Sequence, residues 1–297
     1  GGYWFDKVLT CEDKTLKGMV SLIGQISGIN PDMAIIFPNT FRAAFIMKAA
    51  GVKYCYGYIV NRRSWLLSGG PSPQRDKDKI IPRPMPEYYL EVCRWLQLEL
   101  PDSLKTEIFI PQAVQNRAEH ILSQYGIKDQ DLAIGLNPGA KFGSSKCWPP
   151  EYFARLAELI EQNWGARVVL FAGPGETEIA QNITESSKAA IINTAAEQID
   201  LSLLKPMIKR CQMLITNDTG PRHYAVALDR PVVVIMGSTD PRYTAANLEK
   251  TIVVRRELSC SPCHKRECPY THECMTSIQP EEVFEAAQKL YAREYPA

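Results

Sequence analysis

Short apolar runs alternate with longer amphipathic stretches along most of this chain, and polar, glycine-bearing loops separate them. Met33-Ala34-Ile35-Ile36-Phe37 reads as a strand, Pro38-Asn39-Thr40 turns the chain, and 41–50 reads as a helix closed by Gly51. Tyr54-Cys55-Tyr56-Gly57-Tyr58 reads as the next strand, and Phe5-Asp6-Lys7-Val8-Leu9 as a short one near the start. The stretch 61–83 is loop-rich. A helix over 86–98 follows, because Tyr89, Val92, Cys93 and Leu96 recur at helical spacing.

The second half is more regular. It reads strand 132–136, helix 149–162, strand 167–171, helix 177–187, strand near Ile191, helix 200–211, strand 212–216, helix 221–228 and strand 231–236. Such alternation means parallel strands with helices on both faces. The segment 100–131 joins the halves, with an apolar stretch at Ile108-Phe109-Ile110 and a helix near 113–125. The expected division is therefore 1–125, 126–279 and a terminal helical segment 280–297. No internal repeat or low-complexity segment is visible.

Three of these strands run into polar loops. Asn217-Asp218-Thr219-Gly220-Pro221-Arg222-His223 passes from strand to helix, and Pro221 suits the first helical turn. The free backbone N–H groups and positive dipole end of that helix favour phosphate. Asn137 to Lys146 and Gly173-Pro174-Gly175-Glu176 are the other two. In a parallel α/β sheet all three open into one crevice at the carboxyl ends of the strands. A nucleotide or other phosphate ligand is the chemistry they point to.

Composition narrows the field. With 297 residues, two domains are natural, and 45% hydrophobic with 23% charged residues is ordinary for a globular chain. A net charge of +1 argues against a general nucleic-acid binder. No apolar run approaches the roughly 20 residues that span a bilayer, and Gly1-Gly2-Tyr3-Trp4-Phe5-Asp6 has no leader character. The chain lacks an initiator methionine; the expectation is a missing N-terminal piece, the alternative a processed terminus. Of nine cysteines, Cys260, Cys263, Cys268 and Cys274 cluster as C-x2-C-x4-C-x5-C. Only the first pair has zinc-like spacing, so a structural zinc site, a disulfide-bonded loop and reduced thiols all stay open.

Gly139 through Pro149 resembles the donor-loop signature of the ADP-heptose:lipopolysaccharide heptosyltransferases, and within them the type II branch. Asp218 to His223 with Gly237-Ser238-Thr239-Asp240-Pro241 resembles their second signature. Cys260-Ser261-Pro262-Cys263 through Met275 resembles their cysteine-rich loop, and Pro38-Asn39-Thr40-Phe41-Arg42 a motif of their N-terminal domain. The resemblance implies a GT-B fold: two Rossmann-like domains facing across a cleft, here with the N-terminal one incomplete. It implies inverting transfer of heptose from ADP-heptose to the lipopolysaccharide inner core, without a required cofactor. It implies a cytoplasmic enzyme. Peripheral contact with the inner membrane surface is a reading of the basic loop 61–83, with Arg62, Arg63, Arg75, Lys77, Lys79 and Arg83, although no amphipathic anchor is evident. The family's general base belongs to a segment that would precede this chain, so the alternative is a fragment that binds nucleotide sugar without turnover.

Residue roles follow from chemistry and resemblance together. Lys146 is the candidate for the leaving diphosphate, with Thr219 and Gly220 offering backbone N–H groups. Asp218 is expected to contact the heptose or orient His223, and His223 to donate to phosphate or sugar. Glu176 either accepts from ribose hydroxyls or simply favours a helix N-terminus. Ser144 and Ser145 either touch phosphate or face solvent. Arg42, Arg62 and Arg63 are candidates for a phosphorylated acceptor, because guanidinium forks match its oxygens.

Overall fold

The first regular element of the structure is a helix that the sequence pattern does not announce, α1 (Leu16–Ile29). Its N-cap is Thr15, whose side chain accepts from the Gly18 N–H at 2.9 Å, and Asn30 closes it in the left-handed region. Only Ile26 of α1 is fully buried, which is why its periodicity is weak. The computed structural model describes residues 5–11, 15–77 and 79–296. The expectations for Gly1, Gly2, Tyr3 and Trp4, and Asp78 in the loop-rich stretch 61–83, lie outside the described residues.

Strand β1 (Met33–Ile35), helix α2 (Phe41–Ala49) and strand β2 (Tyr54–Tyr56) follow, and the two strands pair in parallel. A short antiparallel pair, β3 (Arg75–Asp76) and β4 (Lys79–Ile80), precedes α3 (Met85–Trp95). The strand expected at 5–9 does not form. Phe5 and Val8 stay exposed, and the segment has no strand partner among the described residues.

Arg63 organises this part of the chain. It is fully buried, and its guanidinium donates to the carbonyls of Pro38, Thr40 and Tyr58 and to the Asn39 side chain. The Pro38–Arg42 motif is thereby clasped from within. This corrects the expectation that Arg63 binds an acceptor: its donors are spent inside the protein, on three backbone carbonyls and the Asn39 side chain.

The second unit holds α4 (Gln112–Gln124), β5 (Ala133–Asn137), α5 (Pro150–Trp164), β6 (Arg167–Leu170), α6 (Thr177–Ser186), β7 (Ile191–Asn193) and α7 (Leu201–Arg210). It continues with β8 (Met213–Asn217), α8 (Gly220–Ala227), β9 (Val232–Met236), β10 (Thr251–Arg255), a short α9 (Glu273–Thr276) and α10 (Pro280–Glu294). Six strands form one parallel sheet in the order β10-β9-β8-β5-β6-β7. Ile134 and Leu136 of β5, Met213 and Ile215 of β8, and Val233 and Ile235 of β9 face a core built with α5, α6 and α10. Their neighbours Ala133, Leu214, Val232 and Val234 face another with α4 and α7. Both faces are covered, so the strands read as continuous apolar runs.

Three boundaries differ from the sequence expectation. The chain divides at Leu104/Lys105, with 242–246 belonging to the first unit, because Ala118, Ile121 and Leu122 of α4 pack in the second unit's core. The terminal helix α10 is likewise part of that unit, through Val283, Phe284, Ala287 and Leu290. Strand β10 was not foreseen.

Arg63→Ala is expected to destabilise the protein by about 3 kcal/mol, because several buried carbonyls lose their donor. The exposed neighbour Arg62→Ala should stay within about 0.5 kcal/mol of the parent. Urea unfolding of the two variants checks the contrast.

Candidate functional site

The strand order reverses at β5: the chain proceeds outward through β6 and β7, then returns to β8 on the other side of β5. Such a reversal leaves a crevice at the carboxyl ends of the two strands. Two asparagines stitch it together. Asn137, ending β5, donates to the Thr216 and Thr219 hydroxyls at 3.1 and 3.3 Å. Asn217, ending β8, donates to the Pro138 carbonyl at 2.6 Å and accepts from the Trp148 N–H at 3.2 Å. Trp148 is fully buried and donates its indole N–H to the Ile278 carbonyl at 2.9 Å, which fixes the far end of the loop after β5.

Between the two loops lies a buried charge cluster. Lys146 Nζ donates to Asp218 Oδ2 at 2.8 Å and to the Asp218 carbonyl at 2.9 Å. Thr239 donates to the same carboxylate oxygen at 2.6 Å, and Arg222 donates to the other at 2.7 Å. Arg222 is 1% exposed and Asp218 5%. Burial alone would raise the Asp218 carboxyl. The hydrogen bonds from Lys146 and Thr239, and the charges of Lys146 and Arg222, outweigh it and hold the group at about 2. Asp218 is thus ionised at any ordinary pH, with both oxygens engaged.

His223 is brought beside this cluster on α8. Its ring still reaches solvent, yet the dense surroundings lower its basicity, and the charges of Arg222 and Lys146 outweigh that of Asp218. The imidazole is held below its ordinary value and is neutral near pH 7, able to donate one N–H. Thr219 stands at the N-cap of α8 without a side-chain cap bond, and Gly220 opens the helix with Pro221 behind it.

A cavity of about 730 Å³ opens against Thr219 and Gly220, and Lys146, Asp218 and His223 are not part of its lining. Thr219 and Gly220 form one wall, Asn137, Gly139 and Lys141 a second, and Phe171, Ile199 and Leu204 an apolar end. Glu176 reaches into it. Its carboxylate accepts from the Gly173 N–H at 2.8 Å and lies so close to Gly139 that a Cβ there would sit 2.0 Å from Oε1. A second hollow of about 670 Å³ lies between α4 and α7, at the amino ends of the strands. Arg210 in it is spent on the carbonyls of Lys128, Asp129 and Asp131.

Some expected residues play other parts. Ser145 is 1% exposed; its hydroxyl donates to the Lys265 carbonyl at 2.5 Å and meets the Ser238 hydroxyl at 3.2 Å. It ties the donor loop to the cysteine-rich segment and has no free face for phosphate. Ser144 beside it is exposed. The same segment approaches Gly143, where a Cβ would meet the Arg266 carbonyl at 2.3 Å, and the Ser145 N–H donates to that carbonyl at 3.0 Å. In the first unit, Arg62 is exposed, and Arg42 donates to the Thr15 carbonyl at 3.2 Å.

The zinc and disulfide readings of the cysteine cluster find no support. Cys260, Cys263, Cys268 and Cys274 are free thiols, and no three His, Cys, Asp or Glu among the described residues are placed to hold a metal ion. Cys274 is buried against Gly237. Burial, with the neighbouring Cys268, Cys260 and Cys263, pushes its thiol up to about 11.

Sequence reasoning named Lys146, Asp218 and His223 but assigned no role to Arg222 or Thr239. Both act through Asp218. Arg222 stands four residues on, a spacing that faces it on a helix, and this was the available signal. Thr239 reaches Asp218 only through the pairing of β8 with β9.

A parallel α/β unit with a phosphate-suited crevice at its topological switch is Rossmann-like, and the solved heptosyltransferase structures it resembles give the class as GT-B glycosyltransferase. The family model for glycosyltransferase family 9 (heptosyltransferase) matches residues 19–273, and the chain belongs to that family. It is 29% identical over 274 residues to lipopolysaccharide heptosyltransferase 2 of Escherichia coli, covering 89% of this chain and 76% of the relative. Over 169 residues it is 33% identical to lipooligosaccharide heptosyltransferase 2 of Campylobacter jejuni, covering 55% of this chain and about half of that relative, 53%. The solved structure of E. coli ADP-heptose lipopolysaccharide heptosyltransferase II superposes with a TM-score of 0.73 at 25% identity, over 94% of this chain and 82% of the other.

The charge cluster makes stability depend on acid. A carboxyl lowered from 3.8 to about 2 contributes about 2 kcal/mol, present above about pH 4 and lost as pH falls through about 2. Unfolding measured across that window should show the advantage of the parent over Asp218→Asn shrinking by about this amount. An unchanged gap would mean that Asp218 is not held as an ion.

Proposed function

We propose that the protein transfers heptose from ADP-heptose to the inner core of lipopolysaccharide at the cytoplasmic face of the membrane, with inversion at the anomeric carbon. The observation that carries this reading is the Lys146–Asp218–Arg222–Thr239 cluster beside the N-terminus of α8. The family and the E. coli relative support the sugar and the acceptor class.

In this reading the diphosphate lies against the first turn of α8, taking N–H groups from Thr219 and Gly220. Lys146 supplies a positive charge fixed where negative charge develops as the bond from sugar to diphosphate breaks. Asp218 does not accept the proton of the attacking hydroxyl: its oxygens are occupied and its acidity is too great. It positions Lys146. Arg222, buried behind it, keeps the carboxylate ionised, and Thr239 fixes its rotation. His223, neutral, donates its N–H to phosphate or sugar. Glu176 turns its carboxylate to the ribose hydroxyls, and the apolar end at Phe171, Ile199 and Leu204 takes the base. Ser144 remains a candidate for a phosphate contact, and Arg42 and Arg62 for the phosphorylated acceptor.

Calorimetric titration with ADP-heptose, ADP, UDP and GDP tests the donor site apart from turnover. The adenine ligands should bind selectively. Lys146→Ala and Asp218→Ala should each weaken ADP-heptose binding or use at least about tenfold, equivalent to about 1.4 kcal/mol. Parental behaviour in both variants would overturn the site assignment. Selective binding without transfer to a lipopolysaccharide acceptor would instead support the binding-only alternative.

Gly139→Ala tests the nucleoside end. The added methyl displaces the Glu176 carboxylate rather than backbone, so the variant should fold while binding ADP about tenfold more weakly. Parental affinity would remove Glu176 from the ribose site.

A further inference from the structure

The first unit carries a surface that the donor chemistry does not use. Phe41 and Phe45 lie one turn apart on α2 and stack at 6.3 Å, and Trp65 packs on Phe41 at 5.8 Å. All three rings face solvent: Phe41 is 45% exposed, Phe45 38% and Trp65 70%. Lys48 follows Phe45 by three residues and shares its helix face. Arg62 stands three residues before Trp65, and both Lys48 and Arg62 are exposed. Arg42 grips the Thr15 carbonyl, which brings the start of α1 alongside; the next residue there, Leu16, is 74% exposed, and Val20, one turn on, is 59% exposed.

The stretch of chain that carries this patch is predominantly basic. Between Asp13 and Asp76 the only acidic residue is Asp32, against Lys14, Lys17, Arg42, Lys48, Lys53, Arg62, Arg63 and Arg75. Eight cations against one acid lie in this stretch of a chain whose net charge is +1. Arg63 is buried and spent, but Lys17, Lys48, Lys53 and Arg62 are exposed.

We propose that Phe41, Phe45 and Trp65, ringed by Lys48 and Arg62, form the surface by which this protein seats on an anionic lipid bilayer. Exposed aromatic rings beside lysine and arginine suit the boundary between headgroups and acyl chains, where rings leave water and cations meet lipid phosphates. Each cation near such a surface strengthens attachment about fivefold. With Asp32 the one acidic residue between Asp13 and Asp76, an anionic surface would meet little repulsion from this stretch.

The test is flotation of the full chain with vesicles of phosphatidylcholine alone, or of phosphatidylcholine mixed with phosphatidylglycerol, free of nucleotide and of lipopolysaccharide. Attachment should need the anionic lipid and weaken with added salt. Lys48→Gln should weaken it about fivefold, and Phe45→Ser with Trp65→Ser about tenfold or more. Lipids brominated on the acyl chain should quench tryptophan emission, and Trp65→Phe should lose that quenching while still binding. This conservative variant decides the matter if the serine variants fail to fold.

Equal binding to both vesicle types, or unchanged binding and quenching in these variants, overturns the proposal. So does attachment only when the vesicles carry lipopolysaccharide, which would assign the patch to the saccharide acceptor. Self-association abolished by Phe45→Ser would assign it to a second copy of the chain. The donor titration is read without vesicles, so failure of either experiment leaves the other reading standing.

Discussion

A buried carboxylate with two cations is the constraint on which the second unit turns. Arg222 is almost fully enclosed, and an unpaired guanidinium there would be prohibitively costly; Asp218 makes its burial possible. Asp218 in turn is ionised only because Lys146, Arg222 and Thr239 meet it. The trio of Lys146, Asp218 and Arg222 carries one net positive charge, concentrated where the loops after β5 and β8 converge. In the proposed reaction the arriving diphosphate meets a charge already held in place, so little reorganisation accompanies the development of negative charge. The ion pair therefore matters for where Lys146 points more than for how much stability it adds.

The aim of Lys146 depends on elements distant in sequence. Its loop is closed behind it by Trp148, which hangs on Ile278, and is braced from the side by the cysteine-rich segment. Ser145 meets that segment through Lys265 and Arg266, and His272 Nε2 lies 3.0 Å from the Ser145 carbonyl, bonding in the tautomer that carries a proton there. Ser238 accepts from the Cys263 and His264 N–H groups. The segment that looked most like a metal site thus forms a brace of hydrogen bonds between the loop after β5, at Ser145, and the loop after β9, at Ser238.

Much of this was legible in the chain. Strands buried on both faces appear as uninterrupted apolar runs, so β5, β6, β8 and β9 were visible, and the three loops at their carboxyl ends marked the crevice. β10 was not, because Thr251 and Arg255 flank it and it sits at the sheet edge. α1 escaped for a similar reason, with its apolar residues left largely outside. Strand order is not written in any local pattern. It arises from packing, and it is what brings Thr239 to Asp218 and makes β5 the point of reversal. Residue type alone also cannot tell a free hydroxyl from a buried one, and Ser144 and Ser145, adjacent and identical, have opposite fates.

The cations show the same limit most clearly, and they also show how to go past it. Arg63 and Arg222 are chemically the residues one would choose for binding phosphate, yet both are fully enclosed, and the guanidiniums donate inward, one to carbonyls and one to a carboxylate. Lys141 and Arg62 look less specific in sequence, but each is exposed. A cation can bind an outside anion only with donors that folding leaves unspent, so counting basic residues overstates binding capacity wherever arginine is buried. Applied to the stretch from Lys14 to Arg75, the correction is small: it removes Arg63 and leaves Lys17, Lys48, Lys53 and Arg62 facing water. The basic character of this stretch therefore survives the accounting that folding imposes, and the same stretch carries the Phe41, Phe45 and Trp65 rings that folding leaves outside.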